Sequence, residues 1–223
     1  HDVETLRADL GERVAMTERG GRTGAHEFLT VDSVRKSFGG VTAVDGISFS
    51  VNRGDTVGII GPNGAGKTTV FNLITGFYRP DRGSIRFCGH EITRVPPHRL
   101  AHLGIARTFQ NLRLFGRLTV LENIRSAALS AKRYSLIAGV FRTGSFVSVE
   151  REAEKESQML LDFFGLSEKE NAPAASLPYG DQRKLELARA LAVKPDLLLI
   201  DEPGAGMNPR EIQDLVKTMA RMK

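Results

Sequence analysis

This chain is nearly devoid of cysteine. Cys88 is the single one, so no internal disulfide framework can form, and the chain fits a reducing compartment. No apolar run approaches the roughly 18 residues that a membrane-spanning helix needs. The first residues show no apolar signal-peptide core. No heptad repeat is present, which argues against a long coiled coil. The charges are not gathered into blocks: net charge is +5, but lysines and arginines are scattered. So mild a basic excess suits a nucleotide site or an acidic membrane surface as well as it suits nucleic acid. The expected location is the cytosol, with docking on a membrane protein left open.

What is present is ordinary in bulk and distinctive in detail. Hydrophobic residues make up 41% and charged residues 26%, so a chain of 223 residues can bury a sizeable core. Residues 61–69 read GPNGAGKTT. Gly61, Gly66, Lys67 and Thr68 satisfy the phosphate-loop pattern G-x-x-x-x-G-K-[ST], and Gly64 adds a further flexible point. Glycines let such a loop curl so that successive N–H groups face a polyphosphate, and the following helix adds the positive end of its dipole. Lys67 supplies a cation for the β- and γ-phosphates, and the Thr68 hydroxyl is a candidate Mg2+ ligand. The candidate phosphate-binding set is Gly61, Pro62, Asn63, Gly64, Ala65, Gly66, Lys67, Thr68 and Thr69.

Around the loop the pattern alternates strand and helix. Residues 1–26 are polar and predict a flexible tail. Strands are expected over 28–34, 47–51, 55–60, 84–89 and 105–110, with a short one near 90–93. Helices are expected over 68–74, 96–103, 119–130, 148–164 and 181–193, and another begins at Pro209 with Asn208 as its N-cap. Met159, Leu160, Phe163 and Phe164 are expected to form the apolar face of the 148–164 helix. The run LLLI at 197–200 reads as a buried parallel strand, and Asp201 and Glu202 follow its C-terminal end. Ligands of open α/β sheets bind beyond such ends. Asp201 is the candidate metal residue, holding Mg2+ through its water shell, and Glu202 the candidate general base for an attacking water. His90, His98 and His102 lie close in sequence, but no carboxylate or cysteine completes a metal set there.

GPNGAGKTT together with IDEP at 200–203 resembles an ATP-binding cassette ATPase. Further elements match in order: Phe38 in KSFGG, Gln110 in ARTFQN, LPYGDQ at 177–182 and AGMNP at 205–209. The resemblance implies an α/β P-loop NTPase (RecA-like) core with an antiparallel β subdomain and an inserted helical subdomain. The expected division is a core of 27–112 and 194–223 around a helical part, 113–193. It implies that Phe38 stacks on adenine and that Gln110 senses Mg2+ and acts in catalysis. It also implies that Tyr179 and Gly180 face the nucleotide of a second ATPase subunit, identical or paralogous. ATP and Mg2+ would be the ligands. Membrane permease subunits would be the partners, with a solute-binding protein beyond them and no nucleic acid. The chain would sit peripherally on the cytoplasmic side of a bacterial inner membrane.

Tyr179 in the signature, the DEPGAGMNP run and the GVFRTGSF insertion resemble the subgroup that energises uptake of branched-chain and related amino acids. Urea or amide import, lipid or lipopolysaccharide export, and a nucleic-acid-associated ATPase are the alternative readings. Pro178 stands where the family uses a serine and Asn208 where it uses an aspartate. No histidine follows Glu202, so the family's switch-histidine region is expected to be missing.

Overall fold

The computed structural model describes residues 28–108, 114–132 and 144–222. The chain divides into two compact units, one ending at Ile105 and the other starting at Ala106.

The first unit is built on an antiparallel sheet of β1 (Leu29–Phe38), β2 (Val41–Val51), β3 (Arg82–Phe87) and β4 (His90–Glu91), in the order β2-β1-β3-β4. β1 is central because it offers both edges: Leu29 faces Val51 on one side and Phe87 on the other. Its buried residues, Leu29, Val31 and Val34, break strict alternation. Both ladders slip after Val31 or Asp32, and Ser33 takes a positive φ of 48°. This bulge resets the phase so that Val34 still reaches the core. Helix α1 (Lys67–Ile74) buries Val70, Leu73 and Ile74. Helix α2 (Pro97–His102) opens on extended Pro96, as a proline pair permits, since the opening N–H groups of a helix need no intrahelical acceptor.

One expectation fails here. Residues 55–60 lie outside any strand, with Val57 51% and Ile60 97% exposed. An apolar run becomes a strand only where a neighbour supplies ladder hydrogen bonds, and among the described residues no ladder includes this segment.

β5 (Ile105–Arg107), whose first residue closes the first unit, pairs with β6 (Leu197–Leu199), and the Thr108 N–H extends the pairing to Leu199 O at 2.9 Å. Helices α3 (Val120–Ala131), α4 (Gly144–Phe164) and α5 (Tyr179–Ala192) pack on one another, and α6 (Pro209–Ala220) adds Leu215 to their core. α3 opens on a capping box: Thr119 accepts from the Glu122 N–H, and Glu122 accepts from the Thr119 N–H. On α4 the fully buried positions are Ala153, Ser157, Leu161 and Phe164. That stripe advances in steps of about four and three residues, as one helical face must. Met159 falls off it and is 55% exposed, contrary to the expected face. Glu156 ties the helices together by accepting from Lys132 and Lys194. Burial pushes its carboxyl upward, but the hydrogen bonds from Lys194 and Lys132 outweigh this and leave it below the usual carboxylate range.

Asn123 is the buried polar anchor of this bundle, with no exposed surface. Its amide donates to the carbonyls of Phe115 and Thr119 at 3.0 and 2.9 Å and accepts from the Phe115 N–H at 3.0 Å. It thereby fixes the turn entering α3. Removing one partner leaves these buried backbone groups without their hydrogen bonds. N123A is expected to lower unfolding stability by about 2–4 kcal/mol, read as a shifted midpoint in urea. An unchanged midpoint would show that the turn holds itself.

Candidate nucleotide site

The glycine loop of the first unit is shaped by a close approach. At Gly66, with φ at 85°, an added Cβ would stand 2.2 Å from Ala43 O and 3.3 Å from Val44 Cγ2. Only glycine accepts both the left-handed turn and the packing against β2. Gly66 is also the N-cap of α1, and it brings no side chain to the helix start. The first intrahelical bond recorded after it runs from the Val70 N–H to Gly66 O at 2.9 Å. The N–H groups at the head of α1 therefore precede any i−4 acceptor within the helix. No acidic side chain lies in that first turn, so the positive end of the helix is not neutralised from its own sequence.

Lys67 leans back over this loop. Its ammonium donates to Gly61 O at 2.6 Å and Pro62 O at 2.9 Å. The cation thus gathers the carbonyls at the loop's beginning while the N–H groups gather at its end. Pro62, Asn63, Gly64 and Ala65 are exposed; Gly61, Thr68 and Thr69 are half-buried. Phe38 sits at the end of β1, 42% exposed, edge-on to Tyr78 at 5.0 Å between ring centroids. The Lys36 ammonium lies 5.4 Å from the Phe38 centroid. Tyr78 was not among the sequence candidates. Its signal is the aromatic pair Phe77–Tyr78 shortly after α1, and it gives the Phe38 ring an edge-to-face partner.

The remaining described candidates belong to the second unit. Asp201 follows β6 and is 2% exposed. Its Oδ2 accepts from Arg107 Nη2 at 2.9 Å, at the end of the neighbouring strand. Arg107 was missed in the sequence; the available signal was a cation within an otherwise apolar strand. Glu202 is half-buried and takes a positive φ of 45°. That conformation is uncommon for a non-glycine residue. Gln110 lies outside the described residues, as do the N-terminal tail and most of the 131–148 connection.

Tyr179 and Gly180 form the first turn of α5, which starts two residues before the predicted 181. Pro178 is its N-cap and offers no side-chain hydrogen bond. Tyr179 is 38% exposed, and its hydroxyl accepts from Arg183 Nη2 at 3.0 Å. Arg183 in turn pairs with Glu186 at 2.9 Å. Gly180 is buried against α6: a Cβ there would lie 2.8 Å from Glu211 Oε1. Glu211 is held by the α6 capping box, where Asn208 is the N-cap as predicted. The signature turn is thus seated on the helix that follows the acidic pair.

The donors present fit a magnesium nucleotide. An unneutralised helix start and a lysine suit phosphate. The Thr68 hydroxyl of the first unit and, separately, the Asp201 carboxylate of the second are each hard oxygen donors of the kind Mg2+ takes alongside phosphates and water. Among the described residues no group of three His, Cys, Asp or Glu side chains forms a metal cage, at the histidines or elsewhere.

The chain resembles known proteins along most of its length. The ABC transporter family model matches residues 44–205. The high-affinity branched-chain amino acid transport ATP-binding protein BraF of Pseudomonas aeruginosa is 44% identical over 196 residues, covering 88% of this chain and 77% of that protein. LivG of Escherichia coli K12, of the same description, is 40% identical over the same shares of the two chains. The solved ADP conformation of an ATP-binding cassette of an ABC transporter superposes with a TM-score of 0.74 at 36% identity, covering 88% of this chain and 76% of that one. The fold is therefore the α/β P-loop cassette that the sequence predicts.

Gly66 offers a sharp test of the loop. G66A forces a side chain into the left-handed turn and onto Ala43 O, at an expected cost of about 2 kcal/mol or more. The variant should melt several degrees lower and bind a fluorescent ATP analogue at least about tenfold more weakly. Wild-type melting and affinity together would show that the turn does not organise the site.

Proposed function

This chain belongs to the ABC transporter family of ATPases, and from that premise we propose that it is the ATP-hydrolysing subunit of an importer for branched-chain or related amino acids. The carrying observation is the 44% and 40% identity to ATP-binding proteins described as serving high-affinity branched-chain amino acid transport. Among the described residues, no helix is long and apolar enough to cross a membrane. In this reading a permease and a solute-binding protein complete the transporter, as the resemblance to importer subunits suggests, and this subunit docks on its cytoplasmic side.

In this reading the 61–69 loop and Lys67 hold the β- and γ-phosphates, and Phe38 stacks on adenine. Thr68, Gln110 and Asp201 attend the metal, Asp201 through water. Magnesium, when bound, neutralises charge developing on the transferred phosphoryl group. Glu202 accepts the proton of the attacking water, and Gln110 assists in aligning it. Two cassettes pair head to tail, so that Tyr179, Gly180 and the uncapped start of α5 face the γ-phosphate held by the other subunit. Backbone N–H groups and the helix dipole serve there in place of the family serine, since Pro178 carries no hydroxyl.

Two substitutions separate binding from chemistry. E202Q should retain nucleotide binding while steady-state hydrolysis falls by about 10²–10⁴-fold. K67A should lose affinity itself, measured by titration with a fluorescent ATP analogue. Full turnover in E202Q would reject Glu202 as the base.

The substrate class is tested by reconstituting the chain with its co-purifying permease in proteoliposomes. Uptake of radiolabelled leucine, driven by enclosed ATP and supplied with the solute-binding protein, is expected. Uptake of urea or an amide in its place would move the assignment to another importer class.

A further inference from the structure

Arg107 and Asp201 are ninety-four positions apart in sequence, yet they form a buried ion pair of 2.9 Å. Their side chains are only 6% and 3% exposed. Each follows or ends a short strand, and the Thr108 N–H to Leu199 O bond beside them locks the two strand ends together. A carboxylate so deeply buried cannot stay ionised cheaply without a counter-charge. A guanidinium is the counter-ion that never discharges. The pair uses Oδ2 of Asp201.

We propose that Arg107 is a positioning residue which supplies the counter-charge of Asp201 when no metal is beside it, so that Mg2+ must compete with the guanidinium for this carboxylate. The proposal rests on the nucleotide reading above and goes beyond it. A divalent cation approaching Asp201 meets an aspartate whose charge is already balanced, and its binding is weakened by the positive charge it must share the site with. The arrangement keeps the acidic strand end folded without metal and makes metal retention depend on the phosphates that arrive with it. A pair that served only as a strut between β5 and β6 would give the same contact but no link to magnesium.

The experiment is a Mg2+ titration of the full chain at saturating non-hydrolysable ATP analogue, starting in EDTA and followed by thermal unfolding. Wild type, R107K and R107Q are compared. R107Q removes the charge and should reach half-saturation at about threefold less Mg2+ or lower. Its deficit in melting temperature, largest in EDTA, should narrow as Mg2+ is added. R107K keeps a charge but replaces the planar fork with a point donor, so it should shift in the same direction by a smaller factor; it carries the test alone if R107Q does not fold. Folded variants that need as much Mg2+ as wild type, or more, overturn the proposal, as does a melting deficit that Mg2+ leaves unchanged. A wild-type chain with no Mg2+-dependent step would overturn both this proposal and the nucleotide reading; a normal wild-type step with unmoved variants would overturn this proposal alone.

Discussion

The close approach of Ala43 O to Gly66 is the constraint on which the first unit's chemistry depends. A backbone carbonyl of β2 lies where any side chain at position 66 would have to go. Sheet and loop can meet this closely only through a glycine in the left-handed region. The same residue starts α1 without a capping side chain, so the packing that fixes the loop also leaves the helix start bare. A serine or aspartate N-cap would have strengthened α1 by about 1 kcal/mol and would have occupied the N–H groups that an anion needs. Local helix stability has been given up where a phosphate can supply the missing hydrogen bonds.

The second unit solves a different problem, that of keeping a buried acid in place. Burying a carboxylate to 2% exposure is costly without a counter-charge, and Arg107 provides one across the short β5–β6 pairing. The turn at Glu202 then leads into α6, whose capping box places Glu211 against Gly180. One continuous stretch of chain, 201–211, links the acidic strand end to the start of α5. Within or beside it, an added Cβ at Gly180 would meet Glu211, and one at Gly206 would meet Tyr179.

Much of this was legible in the sequence because it was local. The GPNGAGKTT loop, the proline-started α2, the Asn208 cap and the helices of the second unit are all set by residues within a few positions of one another. What escaped was set by distant partners. Nothing near Asp201 announces Arg107, ninety-four positions away. Nothing near Gly180 announces that Glu211 excludes a side chain there. Residues 55–60 carry a strand's composition but lack a ladder, and Met159 carries a core residue's chemistry at a position whose helical phase turns it outward. Phe38 was identified through its place in the motif order, yet its aromatic partner is Tyr78, forty positions on.

The central proposal is that the phosphate loop and Asp201 serve one metal-bound nucleotide. Electron paramagnetic resonance with Mn2+ in place of Mg2+ tests it most directly. With a non-hydrolysable ATP analogue, the wild-type chain should hold one Mn2+ showing phosphorus hyperfine coupling, and D201N should hold it far more weakly although the nucleotide still binds. Equal retention of Mn2+ by D201N, or a bound Mn2+ without phosphorus coupling, would contradict the account.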